Sequence, residues 1–390
     1  MLRNIVIAPS GFKESLTAEA AADCIAQGVL RVFPNAIVKK VPIVDGGEGT
    51  THTLVSATKG VLRKAVVTGP IGCMIHSYYG ILGGIGPQTA VVELAAAAGL
   101  SLVPRHMRNP QKTTTFGVGE LISRVLEGYY PDRLLIGCGD SGTNDGGMGL
   151  AQALGIRFLD GQGRELGFGG AELKRLWHID MSGRHPLLDT VQIDVACNMH
   201  NILTGPQCVS RVYGPQKGAT AEEVESMAAA MERYAEIIKR DTGVDVGTIP
   251  GGGASGGAGA GLAAFLGAKL HSRFDIIMKY LDLDRQLGSA DLVITGEGAI
   301  DCQTPRGKVP AELARRADLF GVPIIVLAGT VGDGAEDNYA AGIDAFTSIL
   351  PAPMDLENAL ARTRELLADS AEHSMRFIKI GTRFSQPLAH

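Results

Sequence analysis

Four short apolar segments of this chain end in the same way. Asn4 to Pro9, Val38 to Val44, Leu134 to Ile136 and Asp291 to Thr295 read as strands, the first buried on both faces. Each runs into a loop of glycines, acids and hydroxyls: Ser10-Gly-Phe-Lys-Glu-Ser15, Asp45-Gly-Gly-Glu-Gly-Thr50, Gly137 to Gly147, and Thr295 to Lys308. A segment of helical spacing follows each loop, at Ala18 to Phe33, Thr51 to Lys59, Met148 onward and Val309 to Phe320. Strand, polar glycine loop and helix in repetition predict a parallel α/β sheet, whose ligands sit beyond the carboxyl ends of its strands.

The pattern is not continuous. Two βα units open the chain. Three strand candidates close it, Asp291 to Thr295, Pro323 to Ala328 and Ala345 to Leu350, with helices Val309 to Phe320 and Leu356 to Arg376 between and after them. Between these ends, Lys64 to Val67, Ser77 to Leu82 and Thr89 to Leu94 read as a meander of short strands, and Glu222 to Arg240 as an amphipathic helix. The expectation is a flavodoxin-like parallel-sheet domain from residues 1–65 plus 285–380. A second α/β domain is inserted at 66–284, with a cleft between the two.

A net charge of −5 removes any electrostatic case for nucleic acid, so phosphate binding has to come from local groups. The six cysteines are scattered without a C-x-x-C pair, which argues against a zinc knuckle and for reduced thiols in a cytoplasmic protein. No apolar run is long enough for a membrane span or a signal peptide. Loops poor in His and Cys leave oxygen-ligated Mg²⁺ as the metal to expect. A homodimer is left open.

Gly137-x-Gly139-x-x-Gly142 matches the dinucleotide fingerprint and is followed by Asp160, but Gly251-x-Gly253-x-x-Gly256 matches it too. In a chain with 52 glycines the pattern is cheap, and a nicotinamide site is the weakest reading. No Walker-type Gly-Lys-Ser/Thr is present, since Gly307-Lys308 is followed by Val309, and the protein-kinase signatures are absent. The loop 295–308 carries Glu297 and Asp301, suited to Mg²⁺, and Lys308 at a helix start, suited to a phosphate. Lys13 lies in the first loop and Lys217 in Gly214-Pro-Gln-Lys-Gly218, while His52 and His200 have no partner at ligand spacing.

Taken jointly, the loops resemble those of the bacterial glycerate kinase family over nearly the full chain. The matching motifs are Ile5-Val-Ile-Ala-Pro9 with Phe12-Lys-Glu-Ser-Leu16, Asp45 to Thr50, Glu93-Leu-Ala-Ala-Ala-Ala-Gly-Leu100, Ser141-x-Thr-Asn-Asp-Gly-Gly147, Tyr213-Gly-Pro-Gln-Lys-Gly-Ala219, and Ile294-Thr-Gly-Glu-Gly298 with Asp301, Gln303 and Gly307-Lys-Val-Pro310. The resemblance implies ATP- and Mg²⁺-dependent phosphorylation of D-glycerate, at the 2-hydroxyl. This chain departs from the family pattern at Ser10 and Asn198, where an acid is missing, and at Asp140, where one is gained. Two alternatives therefore stay open: a kinase for another small hydroxy acid, and a non-catalytic binder of a hydroxy acid or nucleotide.

Site expectations follow. Lys13, Asp45, Asp145 and Asp301 are the catalytic candidates, with Asp145 and Asp301 competing as the base. Ser10, Glu48, Asn144, Asn198, Lys217 and Lys308 are candidates for the acceptor. Gly139, Ser141, Thr143, Gly252, Gly253 and Ser255 are candidates for the nucleotide phosphates, and Glu297 with Asp301 for Mg²⁺.

Overall fold

A computed structural model describes residues 2–12, 15–44, 46–84 and 86–384, so Lys13 and Asp45 lie outside the described residues. The strands, in chain order, are β1 (Asn4–Ile7), β2 (Ile37–Lys40), β3 (Val61–Thr68), β4 (Met74–Ile81), β5 (Thr89–Glu93), β6 (Arg133–Gly137), β7 (Arg157–Leu159), β8 (His178–Asp180), β9 (Gln192–Cys197), β10 (Lys269–Ser272), β11 (Leu292–Ile300), β12 (Ile324–Val331) and β13 (Ala345–Ser348). The chain divides into two compact units, residues 1–44 with 278–390, and residues 45–277.

The first unit holds a five-stranded sheet in the order β13-β12-β11-β1-β2, every pair parallel. Counted along the unit, that is the 2-1-3-4-5 order of flavodoxin-like folds. Ile5, Val6 and Ile7 of β1 are all buried, as a central parallel strand covered on both faces requires. Helix Ala18–Val32 starts where Thr17 caps it, its hydroxyl accepting from the Ala20 N–H at 3.2 Å. This helix packs on the terminal helix Leu356–Phe384. Their closest crossing is at Gly28, where a Cβ would lie 2.1 Å from the Ala368 carbonyl oxygen. Strand β11 runs on to Ile300, so Glu297 sits within a strand rather than in the expected loop.

The second unit is built on a six-stranded sheet, β10-β9-β6-β5-β4-β3. Strands β3, β4 and β5 form the expected antiparallel meander, whereas β5, β6, β9 and β10 run parallel. Helix Thr50–Thr58 packs on β3, β4 and β5. Residues 46–65 therefore belong with this sheet and not with the first unit, where the sequence reading placed them. Helix Ala221–Thr242 begins with a capping box between Thr220 and Glu223. Helix Ala254–Leu266 opens with three residues in left-handed geometry, Ser255, Gly256 and Gly257.

Candidate active site

In the second unit, the carboxyl ends of β5, β6, β9 and β10 point to one edge of the sheet, and the residues that follow them enclose a pocket of about 490 Å³. Leu100 and Ser101 come after β5, Cys138 to Ser141 after β6, Asn198 and Asn201 after β9, and Arg273 after β10. Glu48, Arg108, Tyr213, Gln216, Lys217, Ser255 and Gly256 complete the wall. Four strand ends thus deliver polar side chains to a common point, as expected for an open parallel sheet.

The loop after β6 is held by an interlock of backbones. The Gly146 N–H donates to the Gly256 carbonyl at 3.0 Å. Gly256 has φ +71°, and a Cβ on it would lie 2.0 Å from the Thr143 carbonyl oxygen. Only glycine fits that position on both counts. Asp145 is the internal tie of the same loop. Its carboxylate accepts from the Thr115 N–H at 2.8 Å, the Thr115 hydroxyl at 2.9 Å, and the Gly147 and Gly149 N–H groups at 3.2 and 3.3 Å. Burial pushes its carboxyl pKa up, against the opposing effect of those four donors.

Lys217 is buried with its ammonium inside this loop, donating to Ser141 Oγ at 2.9 Å and to the Thr143 carbonyl at 2.7 Å. Burial pushes its pKa down to about 7, partly offset by the nearby Asp145 charge. Asp140 adopts φ +49°, and its Oδ2 accepts from the Glu48 N–H at 3.0 Å, which ties the loop after β6 to the Gly46–Thr50 turn. The same turn is held from below by Glu93, fully buried at the end of β5. Glu93 accepts from the Gly49 N–H at 3.1 Å, the Thr51 N–H at 2.7 Å and the Tyr78 hydroxyl at 2.6 Å. The Glu93 carboxylate thereby fills the N-terminus of helix Thr50–Thr58.

Of the predicted residues, Glu48, Gly139, Ser141, Asn198, Lys217 and Ser255 line the pocket. Asn198 Oδ1 accepts from the His200 N–H at 3.0 Å. Asn144 is buried behind the wall, its amide donating to Ser210 Oγ at 3.0 Å. Thr143 contributes its carbonyl to Lys217 and turns its side chain into the interior. Gly252 and Gly253 are packed on backbone, the latter with a Cβ position 2.1 Å from the Ile202 carbonyl oxygen. Asp145, Asn144, Thr143, Gly252 and Gly253 are thus supports of the wall, not part of its surface. Arg108, Arg273, Tyr213 and Asn201 escaped the sequence reading. Tyr213 lies in a motif read there only for its lysine, and its hydroxyl donates to Asn201 Oδ1 at 3.2 Å. The two arginines stand in segments with no glycine signal.

The remaining candidates lie in the first unit. Ser10 follows β1 and donates to the Gly296 carbonyl at 3.0 Å. The Asp301 carboxylate receives the Lys308 ammonium at 3.1 Å and the Gln303 N–H at 2.9 Å. Burial opposes ionisation of Asp301, but these donors outweigh it, and its pKa falls below the usual carboxylate value. Glu297 precedes it on β11. Among the described residues, no three His, Cys, Asp or Glu side chains cluster with metal-binding geometry, and no helix is long and apolar enough to cross a membrane.

These features have close counterparts in known proteins. The family model described as the Glycerate kinase family matches residues 5–379. A glycerate kinase of Bacillus subtilis (strain 168) is 44% identical over 376 residues, covering 96% of this chain and 98% of its own. A glycerate 2-kinase of Escherichia coli (strain K12) is 43% identical over 379 residues, covering 97% and 99%. A crystal structure of a chain assigned as glycerate kinase 2 from Salmonella typhimurium LT2 superposes with a TM-score of 0.87 at 43% identity, covering 98% of this chain and 100% of that one. Match length, identity and fold agree, and the chain belongs to the glycerate kinase family.

Proposed function

We propose that this chain is an enzyme that transfers the terminal phosphoryl group of ATP to D-glycerate, forming 2-phosphoglycerate. Family membership is one support. The observation that carries the reading is the polar pocket at the ends of four parallel strands, where Arg108, Lys217 and Arg273 meet Glu48 and Asp140. Cations beside carboxylates suit a ligand with both anionic groups and hydroxyls. Phosphoryl transfer asks a protein chiefly for positioning and charge neutralisation, and these side chains are of the right kind.

Roles follow from the placement. Ser141, Asn198 and Glu48 offer hydrogen bonds at the pocket wall, and Lys217 and the arginines offer positive charge. Asp145 organises the loop, because its oxygens are occupied by four donors. In this reading the base is Asp301, whose carboxylate is held ionised beside Lys308. Glu297 and Asp301 supply hard oxygen donors, which fits Mg²⁺, an ion that takes one or two carboxylates and fills its remaining positions with phosphate and water. When bound, Mg²⁺ would neutralise charge on the phosphates.

The test is a panel of small hydroxy acids with ATP and an ADP-release readout, with the product's phosphate position read by phosphorus NMR. Glycerate as the best acceptor and 2-phosphoglycerate as product support the reading. ADP release with no hydroxy acid of the panel overturns it. A second reading keeps the kinase and changes the acceptor to another small hydroxy acid. It is favoured by Asp140, an added carboxylate that lines the pocket together with Asn198. A different acid clearly preferred in the same panel selects it.

A further inference from the structure

Lys217 is held in an unusual way. It is 3% exposed, and its two hydrogen-bond acceptors are both neutral, the Ser141 hydroxyl and the Thr143 carbonyl. Among the described residues no carboxylate forms an ion pair with it. An ammonium withdrawn from water in this way is costly unless a counter-charge is supplied. Gly218 lies against Arg108, with its Cβ position 2.4 Å from the Arg108 carbonyl oxygen, so the segments that carry Arg108 and Lys217 are packed together. Arg108 lines the same pocket, and its Nε is buried without a hydrogen-bond partner.

The other charged and titratable groups do not balance these two. Arg273 adds a third cation to the wall. Glu48 and Asp140 line the pocket, with Asp140 turned to the Glu48 N–H. Asp145 lies behind the wall and favours the ammonium through its field, while its oxygens are taken by Thr115, Gly147 and Gly149. The Cys138 thiol is kept protonated by burial. Among the described residues, Lys217 and Arg108 thus both line the cavity without a carboxylate partner.

We infer that this pocket is a proton-linked oxyanion seat: a carboxylate or phosphate group of a substrate docks against Lys217 and Arg108, and its arrival converts the Lys217 amine to an ammonium with a proton drawn from the buffer. The inference rests on the kinase reading only for which oxyanion arrives. The step is a protonation, in which the nitrogen lone pair of Lys217 forms the new N–H bond and the buffer acid is left as its conjugate base. The buried lysine, with a pKa near 7, is mostly neutral at pH 8 and mostly charged at pH 6. Uptake of about 0.9 proton per site is expected at pH 8 and about 0.1 at pH 6. Affinity should fall toward tenfold per pH unit above neutrality.

The experiment is titration calorimetry of the full chain with D-glycerate, ATP and inorganic phosphate, each in two buffers of different ionisation enthalpy at both pH values. Uptake near 0.9 at pH 8 for at least one of the three is expected, and which one shows it identifies the source of the oxyanion. Lys217→Gln should abolish the uptake, and Arg108→Gln should weaken binding several-fold while keeping it. Equal uptake in the wild type and Lys217→Gln, no uptake at pH 8, or no binding of any of the three overturns the inference. Should Lys217→Gln fail to fold, the wild-type comparison of pH 6 with pH 8 still decides. Proton uptake with phosphate but no turnover of any hydroxy acid keeps the seat and removes the kinase reading. Turnover of glycerate with no proton uptake does the reverse.

Discussion

Replacing Asp145 separates a structural carboxylate from a chemical one. Its Oδ2 accepts from the Thr115 N–H, the Thr115 hydroxyl and the Gly149 N–H, and its Oδ1 from the Gly147 N–H. Asp145→Ala strands these donors in a fully buried site. An orphaned buried donor costs about 1–3 kcal/mol, so the loss should be about 4 kcal/mol or more. Asp145→Asn keeps one oxygen. The amide does best by placing it at the Oδ2 position, where three donors meet, and its NH₂ then opposes the Gly147 N–H. That single conflict predicts a loss of about 1–3 kcal/mol. Urea unfolding followed by far-UV circular dichroism measures both variants, and turnover is scored per folded molecule. The expected order is wild type, Asn, Ala in stability, with turnover of folded Asp145→Asn reduced less than about tenfold. A general base contributes about 10²–10⁴-fold. An Asp145→Asn variant as stable as wild type with turnover lost by that factor would refute the structural assignment.

Other consequences are as direct. Gly256→Ala places a Cβ 2.0 Å from the Thr143 carbonyl oxygen at φ +71°, and a loss of about 3 kcal/mol or more should appear in urea unfolding. Lys217 has a folded pKa of about 7, below the value of about 10.4 in an unfolded chain. The unfolded state therefore binds more protons between these values, and stability should rise with pH from 7 toward 10. Lys217→Met should flatten that rise in unfolding curves measured across the range. Asp301→Asn removes the carboxylate paired with Lys308 and should lower turnover at least about 100-fold with a small change in stability. Unchanged turnover would remove Asp301 from the mechanism. Chelation of divalent ions should stop turnover, and Mg²⁺ should restore it.

The sheet of the first unit was legible because β1, β11 and β12 are short apolar runs between loops, a pattern that a buried parallel sheet imposes. Strand β10, Lys269–Ser272, gave no such signal. It is an edge strand that mixes Lys, His and Ser with a single leucine, and its pairing with β9 decides its structure. The placement of residues 46–65 was misread for a related reason: Thr50–Thr58 looks like any helix after a strand, and only packing on β3 to β5 shows which sheet owns it. At the site, loop composition pointed to the right strand ends but could not tell a wall from its supports. Asp145 and Asp140 look alike in sequence, yet one is buried under four donors and the other lines the pocket. Arg108 and Arg273 were invisible because an isolated arginine carries no spacing signal, and they reach the pocket only through the fold.

The split of the first unit sets an order of assembly during synthesis. Strand β1 takes its central position only by pairing with β11, where Ile5 meets Leu292. At about 5–20 residues per second, the ribosome needs on the order of 15–60 s to deliver that partner. Residues 45–277 emerge as one uninterrupted run and hold every strand of their own sheet, so they can fold during this interval. Until then Ile5, Val6 and Ile7 have only β2 and helix Ala18–Val32 beside them. Strand β1 is thus exposed to aggregation at birth, and those three residues are buried once β11 pairs with it and helix Leu356–Phe384 packs on helix Ala18–Val32.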